Sequence, residues 1–206
     1  KKRGLDQNTI VVFTADHGEG FNEHELFEHG RSYYEELLHV PLIISGLGVS
    51  EGVVVDDPVS LIDLMGTLRG LLDLPAREGS PDDGFLKALT GHRYTSGPMY
   101  FDSASNLAGN DCRDALWNES FKLITHLTVA EVELYDLRND PGERHNLAAV
   151  EAELARQMLA SLQDFREMCA AQAEAIAGKG SSAAESVSAA EREKVLKKLK
   201  SLGYVN

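Results

Sequence analysis

The chain is poor in cysteine and in basic side chains, and it has no long apolar run. Only Cys112 and Cys169 occur among 206 residues, which excludes a disulfide framework and any CxxC metal or redox motif. They read as two isolated thiols in or near the core. Lys and Arg total 20 against 33 Asp and Glu, a formal net charge of −13. That balance argues against a general nucleic-acid binder, because a phosphate backbone demands a basic surface. No uninterrupted apolar stretch approaches the roughly 20 residues that cross a bilayer. The opening Lys1-Lys2-Arg3-Gly4 is not followed by the apolar segment of a signal peptide. Without an initiating Met, and with a buried-looking strand a few residues on, it reads like the middle of a longer protein. A hydrophobic content of 43% excludes a wholly disordered chain. The length allows one sizeable domain, or a domain with an appendage.

Two runs carry the signature of strands covered on both faces, Thr9-Ile10-Val11-Val12-Phe13-Thr14 and Val40-Pro41-Leu42-Ile43-Ile44-Ser45. Both lack polar alternation, the pattern of a parallel sheet flanked by helices. Between them lie a polar, Gly- and His-rich loop and a short helical segment, Ser32-Tyr33-Tyr34-Glu35-Glu36-Leu37-Leu38. Strand, loop, helix and strand make a βαβ unit with the loop at the first strand's carboxyl end, where open α/β sheets place their ligands. A helix follows, N-capped by Asp57 with Pro58 in its first turn. Leu61, Met65, Leu68 and Leu72 form its apolar stripe, and Pro75 ends it. Residues 82–91 suggest a short helix in a surface loop.

Farther along, Met99-Tyr100-Phe101, Ala115-Leu116-Trp117, Phe121-Lys122-Leu123-Ile124 and Val132-Glu133-Leu134-Tyr135 are closely spaced between turn residues. Such spacing predicts an antiparallel meander. Asn139-Asp140-Pro141-Gly142 is a strong turn. A long helix then carries Leu154, Met158, Leu162, Phe165 and Cys169 on one face, a stripe suited to packing on the small sheet. Residues 178–188, rich in Ser, Ala and Gly, read as a linker. Residues 191–202 read as a solvated terminal helix with one narrow apolar edge.

The informative stretch for chemistry runs from Thr14 to Gly30. Three of the seven histidines, His17, His24 and His29, fall here with five carboxylates, immediately after a buried strand. Asp16 and His17 are adjacent at the strand's end, and in a sharp turn both reach one cation. A carboxylate oxygen with an imidazole nitrogen suits Zn²⁺, Mn²⁺ or a similar divalent ion, and Gly18 and Gly20 let the backbone turn tightly beside it. Because a catalytic ion normally takes at least three protein ligands, the remainder must come from elsewhere in the fold. His39 reads as structural; His92, His126 and His145 read as surface residues.

These residues resemble the sulfatases of the alkaline-phosphatase-like superfamily. The resemblance rests on Asp16-His17-Gly18-Glu19, Glu23-His24, Leu26-Phe27, His29-Gly30, Tyr34-Glu35-Glu36 and Val40-Pro41-Leu42-Ile43-Ile44. It continues in order through Val59-Ser60-Leu61-Ile62-Asp63-Leu64-Met65, Asp83-Gly84, Leu89-Thr90-Gly91, Phe121-Lys122-Leu123-Ile124, Glu133-Leu134-Tyr135-Asp136-Leu137, Asp140-Pro141-Gly142-Glu143 and Asn146-Leu147. Leu202-Gly203-Tyr204-Val205 is similar to the close of many bacterial members. The resemblance implies an α/β fold: part of an alkaline-phosphatase-like sheet domain (residues 1–92), then a small antiparallel sheet packed by a long C-terminal helix (93–177), then a linker and terminal helix (178–206). It implies that Asp16 and His17 bind a divalent metal ion (Ca, Mn or Zn). His29 would contact the transferred sulfuryl or phosphoryl group and its leaving oxygen as a catalytic residue, with His24 a further substrate-binding candidate. A His at position 29, where other members carry Lys, is as similar to the phosphoester and phosphonate branches as to true sulfatases. The family usually has Gly where Asn22, Glu25 and Glu28 stand; Asn tolerates a positive φ, and the two glutamates add negative charge beside an anion site.

The nucleophile that the resemblance calls for is missing. Sulfatases convert the Cys or Ser of a C/S-x-P-x-R motif to formylglycine, and no such motif occurs in the 206 residues. The expectation is therefore the C-terminal portion of a hydrolase of sulfate or phosphate (phosphonate) esters, inactive alone. Its partners would be a small-molecule, glycan or lipid ester and the N-terminal portion of the same protein, with no nucleic acid; many relatives are exported. The other reading is a non-catalytic pseudoenzyme or binding module with a vestigial metal loop.

Overall fold

The computed structural model describes residues 8–30, 32–75, 84–102, 113–126 and 131–179. Cys112, the linker at 180–188, the predicted terminal helix and the Leu202–Val205 motif lie outside these residues, as does the start of the predicted helix at 82–91. The chain divides into two compact units, residues 1–162 and 163–206.

The first unit opens on β1 (Ile10–Thr14), followed by a two-stranded ribbon of β2 (Gly20–Phe21) and β3 (Phe27–Glu28), the single-turn α1 (Glu35–Leu38) and β4 (Leu42–Gly46). Here the expected βαβ unit is corrected. β1 and β4 pair antiparallel, from Ile10 opposite Gly46 to Thr14 opposite Leu42. The connection between them folds into a two-stranded ribbon and a four-residue helix, not the long crossover helix that usually links parallel neighbours. The two-sided burial expected of these strands is also corrected: one face is half-buried, while Val11, Phe13 and Ile43 on the other are 59%, 59% and 60% exposed.

The predicted long helix starts later than Asp57. Ser60 instead caps a 3₁₀ turn at Leu61–Asp63, which continues as α2 (Leu64–Leu71). Its expected stripe is only partly covered, with Met65 and Leu72 exposed; the face that packs is Gly66 and Thr67. The fully buried Thr67 hydroxyl donates to Asp63 O at 2.8 Å and accepts from Phe85 N at 3.0 Å. That pins α3 (Leu86–Leu89), whose neighbour Phe85 is itself buried. The short helix expected in a surface loop is thus packed against α2.

The meander forms as predicted. β5 (Met99–Asp102), β6 (Arg113–Asn118), β7 (Phe121–His126) and β8 (Glu131–Asp136) lie antiparallel in sequence order. The Asn139–Gly142 turn closes behind it: Asp140 Oδ2 accepts from the backbone of Arg144 at 2.9 Å and His145 at 2.8 Å. α4 (Ala152–Lys179) follows, running through Gly178 where a linker was expected to begin. Within the first unit, Ala155, Met158 and Leu162 of α4 pack on Leu116, Leu123 and Leu134 of the sheet. Cys169, expected at the core, is exposed.

Both faces of β7 are buried from Lys122 to His126. Strand alternation sends Leu123 toward α4 and Ile124 to the other face, where Ala115, Ile124 and Tyr135 pack on Tyr34. The small sheet is therefore held between α4 and the segment that follows the His-rich loop. Among the described residues, no helix is long and apolar enough to cross a membrane.

Candidate metal and anion site

β1 delivers Asp16 and His17 to its carboxyl end, and the backbone turns at once. His17 N donates to Asp16 Oδ1 at 3.1 Å, and Gly18 N donates to Leu37 O at 2.8 Å, tying the turn to α1. Only glycine fits at position 18, because a Cβ there would overlap the carbonyl oxygen of Glu36.

The His17 ring has a defined orientation. Its Nδ1 lies 2.7 Å from Gly18 O. A carbonyl only accepts, so Nδ1 carries the proton and, in the neutral ring, Nε2 holds a lone pair. That Nε2 is buried and has no hydrogen-bond partner; it lies 3.8 Å from Asp16 Oδ1. A buried acceptor beside a carboxylate oxygen, at a separation one divalent ion can bridge, fits a metal ligand pair. The imidazole nitrogen suits Mn or Zn better than Ca, which takes oxygen ligands.

His29 comes to the same place. β2 and β3 pair Gly20 with Glu28 and Phe21 with Phe27, folding the loop back so that the rings of His17 and His29 stack with centroids 4.3 Å apart. Glu19 lies 3.3 Å from His29 Nδ1. Sequence reasoning did not single out Glu19; its place ten residues before His29 becomes meaningful only once the ribbon closes. The backbone N–H of Phe21, 2.6 Å from Glu23 Oε2, is the main cause of a lowered Glu23 carboxyl pKa. The ribbon requires left-handed backbone at Asn22 (φ 83°), Glu25 (φ 59°) and Glu28 (φ 70°), the three positions where the family resemblance called for Gly.

His24 is placed elsewhere. Its Nδ1 lies 2.8 Å from Glu36 Oε1, its Nε2 lies 3.1 Å from Glu143 O, and its ring stacks on Tyr34 at 3.8 Å. The group His24, Glu36 and Glu143 has ligand atoms within 4.8 Å of one another, but a cation is already there. Lys122, wholly buried, reaches Glu143 Oε1 at 2.6 Å and Glu35 Oε1 at 2.7 Å. Glu143 Oε2 accepts from Glu35 N at 2.7 Å. We assign this group to a protein-only ionic network. Burial pushes the Glu143 carboxyl pKa up, and the Lys122 ammonium offsets that only in part.

His126 is also corrected: it is 9% exposed, not a surface residue. Its Nε2 lies 2.6 Å from Glu133 Oε1, and Glu133 Oε2 accepts from Tyr34 at 2.8 Å and Tyr135 at 2.7 Å. Burial pushes the Glu133 carboxyl pKa up, but the bonds from Tyr135, Tyr34 and His126 together outweigh it and hold it below the ordinary value. Burial, then the Glu133 bond, raises both tyrosines. His92 and His145 are exposed, as expected; His39, expected to be structural, closes α1 through its backbone N–H to Glu35 O at 2.9 Å, while its side chain is exposed, 3.8 Å from Glu35 Oε2.

The acid–imidazole cluster thus stands at the carboxyl end of a sheet strand, within a mixed fold of small antiparallel sheets and helices. Residues 1–74 match the family model described as Sulfatase. The uncharacterized sulfatase YidJ of Escherichia coli (strain K12) is 34% identical over 142 residues, covering 68% of this chain and 28% of that protein. The Delta 4,5-hexuronate-2-O-sulfatase of Bacteroides thetaiotaomicron is 28% identical over 160 residues, covering 69% and 31%. The crystal structure of the phosphonate monoester hydrolase of Agrobacterium radiobacter superposes with a TM-score of 0.63 at 25% identity, covering 82% of this chain and 36% of that one. The chain is a partial sulfatase-like chain of the alkaline-phosphatase-like superfamily, and it spans about a third or less of the length of these curated relatives.

Proposed function

We propose that this chain carries part of the metal site and the leaving-group side of a hydrolase of sulfate or phosphate (phosphonate) esters. The observation that supports this most is the convergence of Asp16, His17 and His29, with His17 Nε2 buried and unpaired beside Asp16. Asp16 and His17 would hold the divalent ion, which when bound supplies Lewis-acid polarisation of the ester. His29, whose ring stacks on that of His17, would neutralise charge on the transferred group and give a proton to the departing alkoxide. Both His24 nitrogens are committed inside the chain, so we assign His24 a bracing part rather than substrate contact. A sulfated glycan is one substrate class in reach, since one relative is a hexuronate 2-O-sulfatase. A phosphonate monoester is the other, since a structural neighbour hydrolyses those. The attacking group belongs to sequence outside these 206 residues, which hold no C/S-x-P-x-R motif. The exposed apolar face of β1 and β4, with Val11, Phe13 and Ile43, suits cover by a further layer of the same domain.

Titration with Mn²⁺ tests the site directly. Wild type is expected to bind measurably, with affinity falling at least tenfold in Asp16→Ala and His17→Ala. Equal affinity in all three overturns the assignment. The 206 residues alone should hydrolyse neither aryl sulfates nor phosphonate monoesters; robust metal-dependent turnover by them would defeat that part.

A further inference from the structure

We propose that Glu143, anchored by Lys122, is a positioning residue that sets the metal-facing tautomer of His17. This rests on the assignment of His17 as a metal ligand. The path is a continuous set of short contacts. Lys122, on β7 of the small sheet, is wholly buried and holds Glu143 Oε1 at 2.6 Å. The other oxygen of Glu143 accepts from Glu35 N at 2.7 Å, capping the amino end of α1.

The cap matters because α1 has only four residues. A single helical turn does not hold itself together in water, and Tyr34 at the N-cap position supplies no side-chain bond to the helix. The cap comes instead from a residue 108 positions away. Lys122 adds a second fixing point by reaching Glu35 Oε1 at 2.7 Å, and His24 a third by bridging Glu36 to the Glu143 carbonyl. At its other end α1 presents Leu37 O to Gly18 N at 2.8 Å. Gly18 in turn offers its carbonyl to His17 Nδ1 at 2.7 Å. That last bond keeps the proton on Nδ1 and the lone pair on Nε2. Displacing α1 therefore releases the Gly18 peptide and removes the preference for one tautomer. By this path the small sheet would set how well the site binds a cation.

The test uses the full chain with ¹⁵N-labelled histidine and Mn²⁺ as the probe. In wild type the His17 nitrogens should report the Nδ1–H form. Glu143→Gln should give a mixture of tautomers and lower Mn²⁺ affinity about tenfold, the scale at which outer-sphere partners act. Leu134→Ala, which damages the same sheet on its α4 side, should move neither. Should Glu143→Gln not fold, Glu143→Asp keeps the charge, withdraws the cap by one methylene and should shift both readouts in the same direction. An unchanged His17 tautomer in a folded Glu143 variant, or an equal shift in Leu134→Ala, overturns the proposal. If wild type and Asp16→Ala bind Mn²⁺ equally weakly, the metal assignment fails, while the tautomer comparison still decides the positioning role.

Discussion

Lys122→Met is the sharpest probe of the packing between the His-rich loop and the small sheet. Met fills a similar volume, so the change creates little cavity and isolates the charge. The wild-type ammonium is wholly buried and faces two carboxylates, one wholly buried on Glu143 and one mostly buried on Glu35. Removing one member of such a group leaves uncompensated charge in the interior, at a cost of about 3–5 kcal/mol. That is a large part of the ~5–15 kcal/mol that holds a domain folded. The sign of the pH dependence follows from Glu143. Burial already raises its pKa in the folded state, against the lowering effect of Lys122. Without Lys122 the folded-state value rises further. A carboxyl raised in this way stabilises the fold below its unfolded pKa of about 4.3 and loses that contribution as pH climbs through the folded value. The deficit of Lys122→Met should therefore be smallest near pH 4 and grow toward neutrality. Urea unfolding followed by fluorescence reads it well, since the single Trp, Trp117, stands opposite Lys122 in the β6–β7 register. Lys122→Met/Glu143→Gln should recover much of the loss, having no orphaned charge on Glu143. A deficit below about 1 kcal/mol, the scale of a surface ion pair, would refute the reasoning, as would one that grows toward acid.

Gly18→Ala drives a methyl group into the Glu36 carbonyl; the Gly18 amide should lose its protection from hydrogen exchange while amides of β7 keep theirs. Glu28→Gly relieves a left-handed glutamate (φ 70°) and should stabilise by roughly 0.5–1 kcal/mol once glycine's greater unfolded-state freedom is subtracted, measured as a shifted urea midpoint. Glu133→Gln should flatten the acid limb of the stability curve. The wild-type carboxylate, lowered on balance by its three hydrogen bonds, stabilises above its unfolded pKa and loses that as pH falls through the folded one. Arg156→Ala, which breaks the exposed contact with Glu153, should leave the midpoint unchanged and serves as the control.

Features governed by local pattern were legible in the sequence. The meander follows from apolar runs separated by turn residues, and the Asn139–Gly142 turn from the chemistry of Asp and Pro. The α4 stripe follows from helical spacing, and the density of His and carboxylate after β1 marked the site. Strand direction was not legible. The runs at Ile10 and Leu42 carry the same residue types whether parallel or antiparallel, and the choice depends on how the residues between them fold. Lys122 and His126 were equally hidden. His126 reads as a surface residue and Lys122 as one residue of an apolar strand, yet both are buried, because carboxylates from β8 and from the segments around Glu35 and Glu143 meet them.

The sequence by itself determined the meander, the α4 stripe and the Asp16-His17 pair at a strand end. These depend on side-chain type and near-neighbour geometry, which are written locally. Only the tertiary structure decided that β1 and β4 run antiparallel and that His29 joins His17 while His24 is drawn away to Glu36 and Glu143. It alone joined Lys122 to a carboxylate 21 residues on and another 87 residues back. The physical reason is that a buried charge is tolerable only beside its partner, and one sequence does not say which distant partner the fold will bring.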